Sequence, residues 1–201
     1  LMKLVTAGYL EGFYYRPRID IDLLRQYNEG LICLSACLKG EIPEKMLKGD
    51  YDGAKKAALR FSEIFPNRFY LEIQNHGIPE EEANIRNMKK LADDLNLPLV
   101  CTNDAHYAKQ DHWEAHDIHI CLGTGKERSD PNRLRYATPE FYFKSQDEMH
   151  SLFKKFPNAI ENSRLIADKI DMTLPMGEYH LPNFPIPSNS PTQDPDEYLK
   201  I

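Results

Sequence analysis

Apolar positions along this chain fall into two kinds of pattern. Short runs rich in branched and aromatic residues, Leu31-Ile32-Cys33-Leu34, Phe69-Tyr70-Leu71-Glu72-Ile73 and Leu97-Pro98-Leu99-Val100-Cys101, predict buried strands over 31–36, 69–73 and 97–102. Between them the apolar residues recur at helical spacing. Ala54, Ala57, Ala58, Phe61 and Ile64 make one stripe behind the turn Asp50-Tyr51-Asp52-Gly53. Ile85, Met88, Leu91, Ala92 and Leu95 make another over 79–96, where Pro79 suits a first helical turn and the acidic residues after it suit the helix dipole. Shorter helices are expected over 1–11, 20–28, 41–48, 110–122 and 158–170. A helix beginning at Ser145 carries a capping-box pattern and a Met149, Leu152, Phe153, Phe156 stripe. Phe141-Tyr142-Phe143 reads as a short strand, and from Pro175 onward prolines recur in the manner of an extended linker. Strand, helix, strand, helix, strand with short connections predicts an α/β fold of parallel strands and crossover helices. The expected division is 1–125 for the α/β part, 126–173 for a helical extension and 174–201 for the linker.

Composition narrows the class. In 201 residues, 41% are hydrophobic, enough for a buried core, and 28% are charged with a net charge of −6, an ordinary water-exposed surface. There is no strongly basic stripe, so the segment as a whole is not a phosphate-gripping surface. No apolar run approaches the roughly 20 residues of a membrane span, and no signal peptide is visible. The four cysteines, Cys33, Cys37, Cys101 and Cys121, include no Cys-x-x-Cys pair, which excludes a zinc ribbon. Sparse cysteine suits a reducing cytoplasm, and Cys33, Cys101 and Cys121 read as buried small apolar residues. The chain opens on Leu1 inside a helical pattern and stops as another helix would begin, which is expected of a piece cut from a longer protein.

The candidate chemistry sits at strand ends. Each of the three strands runs into polar residues: Cys37 after the first, His76 after the second, Asp104 and His106 after the third. In parallel α/β architectures that edge is where active sites form. Asp104 and His106 alternate onto one side of an extended chain and offer a carboxylate oxygen and an imidazole nitrogen, donors that suit zinc or manganese better than magnesium or calcium. The alternative is a polar turn of Asn103 and Asp104 capped by His106. His112, His116 and His119 share one side of the 110–122 helix; His116 is the one expected to turn toward the site. His76 and His116 are candidates for orienting a ligand from behind, or for simple surface histidines. In Phe13-Tyr14-Tyr15-Arg16-Pro17-Arg18, Arg16 and Arg18 beside aromatic rings suit phosphate or DNA contact, or a loop held down by its own rings. Gly123-Thr124-Gly125-Lys126 lacks the frame of a phosphate loop.

Several stretches together resemble one family. They are Gly12-Phe13-Tyr14-Tyr15-Arg16-Pro17-Arg18-Ile19-Asp20, Leu34-Ser35-Ala36-Cys37-Leu38-Lys39-Gly40-Glu41-Ile42, Phe69-Tyr70-Leu71-Glu72-Ile73-Gln74-Asn75-His76-Gly77, Thr102-Asn103-Asp104-Ala105-His106-Tyr107, Phe141-Tyr142-Phe143-Lys144-Ser145 and Leu181-Pro182-Asn183-Phe184-Pro185. They resemble the polymerase-and-histidinol-phosphatase (PHP) domain of the bacterial DNA polymerase III alpha family. The resemblance implies the later part of a distorted, TIM-like β/α barrel, with C-terminal helices and the start of a connection toward the polymerase palm. It implies metal ligation by Cys37, Asp104 and His106; the family's earlier His-x-His pair has no counterpart in these residues. The implied cofactors are Zn or Mn at the PHP site and Mg at the polymerase site of the whole protein. The implied activities are DNA-templated nucleotidyl transfer by the whole protein and metal-dependent 3′–5′ exonuclease or phosphoesterase chemistry at the PHP site, while the segment alone is inactive. The alternatives are a non-catalytic scaffold that braces the polymerase, or a freestanding phosphatase. The implied partners are DNA and the other subunits of a replicative holoenzyme, with no membrane.

Overall fold

The computed structural model describes residues 1–179, 181 and 184–200, which divide into two units, Leu1–Lys169 and Ile170–Ile201. The first carries α1 (Met2–Leu10), α2 (Ile21–Gln26), β1 (Cys33–Leu34), α3 (Glu41–Leu47), α4 (Tyr51–Ile64), β2 (Phe69–Ile73), α5 (Pro79–Leu95), β3 (Leu99–Cys101), a single 3₁₀ turn (Gln110–His112), α6 (Trp113–Thr124), α7 (Gln146–Leu152) and α8 (Pro157–Asp168). The strands form one parallel sheet in the order β1-β2-β3, with Cys33 opposite Phe69 and Leu71 opposite Leu99. This is the expected α/β alternation. All five residues of β2 are buried, as a central parallel strand covered on both faces requires. Leu71 and Ile73 lie in one core with Ile42 of α3, Ala57 and Ala58 of α4, Met88 and Leu91 of α5, and Phe153 just past α7.

Local chemistry sets the element ends. Asp50 caps α4 by accepting from the Gly53 N–H. Helix α5 starts on Pro79 with Glu80, Glu81 and Glu82 in its first turn, and ends at Asn96 in the left-handed conformation. Ser145 and Glu148 form the expected capping box of α7, and Pro157 starts α8. Two expected strands are shorter than the apolar runs suggest. β1 ends at Leu34 because Ala36, at φ +65°, turns the chain out of extended geometry. The loop then folds back so closely that a Cβ on Gly40 would lie 2.3 Å from the Ser35 carbonyl oxygen. The strand expected over 141–143 is a single parallel bridge between Tyr107 and Tyr142.

The two outer edges of the sheet are treated differently. On β3, α8 satisfies the carbonyls: Asn162 donates to Leu99 O at 2.7 Å and Ser163 donates to Cys101 O at 2.7 Å. β1 is paired on one side only, and its other side borders an open apolar groove of about 440 Å³ lined by Leu4, Val5, Ile19, Leu24, Leu34 and Phe65 among others.

The second unit contains the proline-rich stretch and α9 (Pro195–Tyr198), capped by Asp194; Phe184 stacks on Tyr198. Of the Leu181–Pro185 stretch, Pro182 and Asn183 lie outside the described residues. Among the described residues no helix is long and apolar enough to cross a membrane.

Candidate metal centre at the strand ends

Because the strands are parallel, their C-terminal ends share one edge. Cys37, His76 and Asp104 each lie three positions past a strand end, after Leu34, Ile73 and Cys101 respectively. The structure gives the three positions different surroundings.

After β3 the chain turns sharply. Asp104 adopts φ +47°, a left-handed conformation that Asp tolerates better than most residues. His106 is fixed through its backbone, its N–H donating to Phe141 O at 2.8 Å. Asp104 Oδ1 then lies 3.4 Å from His106 Nε2, and both side chains are about one-third exposed (36% and 34%). Two donors bound about 2.05 Å from one tetrahedral ion are separated by about 3.4 Å. The pair therefore fits two corners of a single zinc or manganese ion. His106 belongs to a ring cluster with His116 at 5.8 Å, Tyr136 at 4.8 Å and Phe141 at 5.8 Å between centroids. The Tyr136 hydroxyl is 3.2 Å from Nδ1 and 3.3 Å from Nε2 of His106. Burial raises the Tyr136 pKa, and the negative charge of Asp104 raises it further. Cys37 is half-buried after β1.

Among the described residues, no three His, Cys, Asp or Glu side chains come together as a metal-holding group. Asp104 and His106 fit an ion; this chain does not assemble a complete donor set around them.

After β2 the arrangement is closed. His76 is 1% exposed. Its Nδ1 faces Glu81 Oε1 at 2.7 Å, and its Nε2 faces the Asn103 carbonyl at 2.9 Å. Its backbone N–H donates to Glu81 Oε2 at 2.6 Å. A carboxylate and a carbonyl only accept, so both ring nitrogens donate and the ring is an imidazolium. Burial pulls its pKa down, but the bonds to Glu81 and Asn103 outweigh that and leave it raised. Burial likewise pushes Glu81 up, and the bonds from His76 outweigh it and leave Glu81 lowered. His76 stacks flat on Phe141 at 4.1 Å, and Phe141 stands between it and the His106–Tyr136 cluster. His76 thus holds the carbonyl of Asn103, next to Asp104, with no free nitrogen to offer an ion.

Of the three histidines expected on one helix, His116 of α6 is half-buried and faces His106, while His112, in the 3₁₀ turn before α6, and His119 are exposed. Burial, then the neighbouring His106 and His119, lower the His116 pKa. Arg16 and Arg18 are exposed in the loop between α1 and α2, where Arg18 lies over the Tyr14 ring at 5.0 Å. Two residues that were not candidates from sequence, Arg133 and Tyr136, lie in the loop after α6. The side chain of Arg133 is 5% exposed and grips Asp117 with both terminal nitrogens at 2.6 and 2.8 Å, anchoring the loop to α6. That anchor sits three residues before Tyr136. Cys33, expected to be buried, is half-buried, with its thiol pushed up to about 11 by burial.

A parallel α/β unit with its polar residues at the C-terminal strand edge defines the class, and residues 1–76 match the PHP domain family. That match contains Cys37 and ends at His76. The chain is 47% identical over 188 residues, 90% of its length, to the DNA polymerase III subunit alpha of Borreliella burgdorferi. It is 43% identical to that of Treponema pallidum and 38% identical to that of Thermus aquaticus, over 93% of its length in both cases. It covers 16% of each of these relatives. The chain belongs to the DNA polymerase III alpha subunit family, as a segment that carries a PHP domain.

Proposed function

We propose that this segment is the PHP-bearing part of a replicative DNA polymerase alpha subunit and organises a divalent-cation site for phosphodiester hydrolysis of the 3′–5′ exonuclease type. Nucleotidyl transfer on a DNA template, with Mg, belongs to the rest of that protein; DNA and the other holoenzyme subunits are its partners, in the cytoplasm. The observation that carries the cation site is the Asp104–His106 pair, set 3.4 Å apart and one-third exposed at the strand edge, a spacing one Zn or Mn ion would bridge. Cys37 is the candidate for a third donor, and His116 for a group that orients His106 from behind. Arg16 and Arg18 are candidate phosphate contacts, displayed in an exposed aromatic loop.

The same reading treats the sheet as part of a larger β/α barrel. β3 is closed by α8 side chains, whereas β1 keeps an unpaired side beside an apolar groove. An extended strand from elsewhere in the alpha subunit would pair there and bring further donors to the same edge. The scaffold reading has its own support in the absence of a three-donor group among the described residues. His106→Ala in the full-length protein separates the two. Loss of metal-dependent exonuclease activity with nucleotide addition intact is the expected result; exonuclease activity that survives the substitution overturns the assignment and leaves the scaffold.

A further inference from the structure

The turn that carries Asp104 and His106 is held at both ends, and one buried side chain reaches both holds. At its start the Asn103 carbonyl accepts from His76 Nε2 at 2.9 Å. That carbonyl belongs to the peptide joining Asn103 to Asp104, and Asp104 sits at φ +47°, a backbone that persists in a non-glycine residue only where its surroundings fix it. At its end the His106 N–H donates to Phe141 O at 2.8 Å, and the Phe141 ring lies flat on the His76 imidazole, 4.1 Å between centroids and 6° between planes. His76 is itself pinned. Glu81 accepts from its Nδ1 at 2.7 Å and from its backbone N–H at 2.6 Å, and the Thr138 hydroxyl donates to its carbonyl at 2.7 Å.

Resting on the cation-site reading, we infer that His76 is a positioning residue for the divalent cation: it binds no ion itself, and its Nε2–H holds the Asn103–Asp104 peptide so that Asp104 and His106 present their donors 3.4 Å apart. The two ring nitrogens have separable tasks. Nδ1 serves Glu81 and ties the end of β2 to the first turn of α5; Nε2 serves the turn. A role in the fold alone needs only the Glu81 side of the ring. Substitution at Glu81 separates the two. In Glu81→Gln the amide nitrogen can donate to Nδ1 while the amide oxygen still accepts the backbone N–H, which leaves a neutral ring with its proton on Nε2 and the Asn103 bond intact.

The test is Zn²⁺ titration of metal-stripped full-length protein by calorimetry, with His106→Ala defining the site. Glu81→Gln is expected to bind as wild type does, although it loses the buried charge pair. In that background His76→Gln sets an amide donor at the Nε2 end of the side chain and is expected to keep the affinity. His76→Asn, which reaches only as far as Nδ1, is expected to bind about tenfold more weakly, the lower end of the loss seen when residues that hold metal ligands from outside are removed. A His76→Asn double variant that binds as tightly as the His76→Gln one overturns the inference, and so does a tenfold loss in Glu81→Gln alone, since the fold then carries the whole effect. If the His76→Asn double variant does not fold, His76→Phe with Glu81→Gln, which keeps a ring on Phe141 and has no nitrogen, takes its place with the same two outcomes. If wild type shows no Zn²⁺ binding that His106→Ala removes, the cation-site reading itself falls; binding that His106→Ala removes keeps that reading whatever the His76 variants do.

Discussion

Two strand ends of this sheet carry a histidine, and they are built to opposite ends. After β2, His76 and Glu81 have side chains 1% and 5% exposed, and every polar atom of the imidazole has a partner. After β3, Asp104 and His106 are one-third exposed and lie 3.4 Å apart. The first arrangement has spent its hydrogen-bonding capacity on holding a loop; the second keeps lone pairs near the surface. The difference teaches that position on a sheet edge nominates a histidine, while burial and satisfied partners decide whether it can hold a ligand.

The comparison breaks first at His76. His76→Ala leaves the Glu81 carboxylate buried without its cation, and losing one member of a buried pair costs about 3–5 kcal/mol. Urea unfolding should show that loss. A change below about 1 kcal/mol, the scale of an exposed pair, would mean the β2 end is not sealed.

The sequence showed where these histidines lie along the strands and not how they differ. β2 and α5 were legible because Phe69-Tyr70-Leu71 and the Pro79, Glu80, Glu81, Glu82 start are strong local signals. β1 was over-long because Ala36 turns the backbone at positive φ, a conformation an Ala does not announce. Asp104 and His106 were legible as a pair from their two-residue spacing. Tyr136 was not, because only the Arg133–Asp117 anchor, 16 residues apart in sequence, fixes its loop beside His106.

Charge sharpens the comparison next. The raised pKa of His76 means that its contribution is fully present below the unfolded value of about 6.5 and is lost as pH rises through the folded value. The lowered pKa of Glu81 means that its contribution is present above its unfolded value of about 4.3 and is lost as pH falls through the folded one. Stability supplied by the pair should therefore be greatest between the unfolded values of Glu81 and His76 and decline as pH rises through the folded value of His76. In His76→Ala that alkaline decline should be missing from unfolding curves measured from pH 5 to 10. A Glu81→Gln variant keeps an acceptor but removes the charge, so a smaller loss, about 1–3 kcal/mol, is expected.

The smallest stability effect is expected at the other strand end. His106→Ala removes a partly exposed side chain, and the expected change in metal-free protein is about 0.5 kcal/mol or less. Thermal unfolding in the presence of chelator checks it. A loss comparable to that of His76→Ala would show that His106 is a structural residue and that the two strand ends are alike.

Elemental analysis of the full-length alpha subunit, purified without chelator, tests the central claim most directly. The account predicts bound zinc or manganese in the wild type and a lower content in Asp104→Ala and His106→Ala, with no change in Arg18→Ala. A wild-type protein with neither metal, or a metal content untouched by both substitutions, would contradict it.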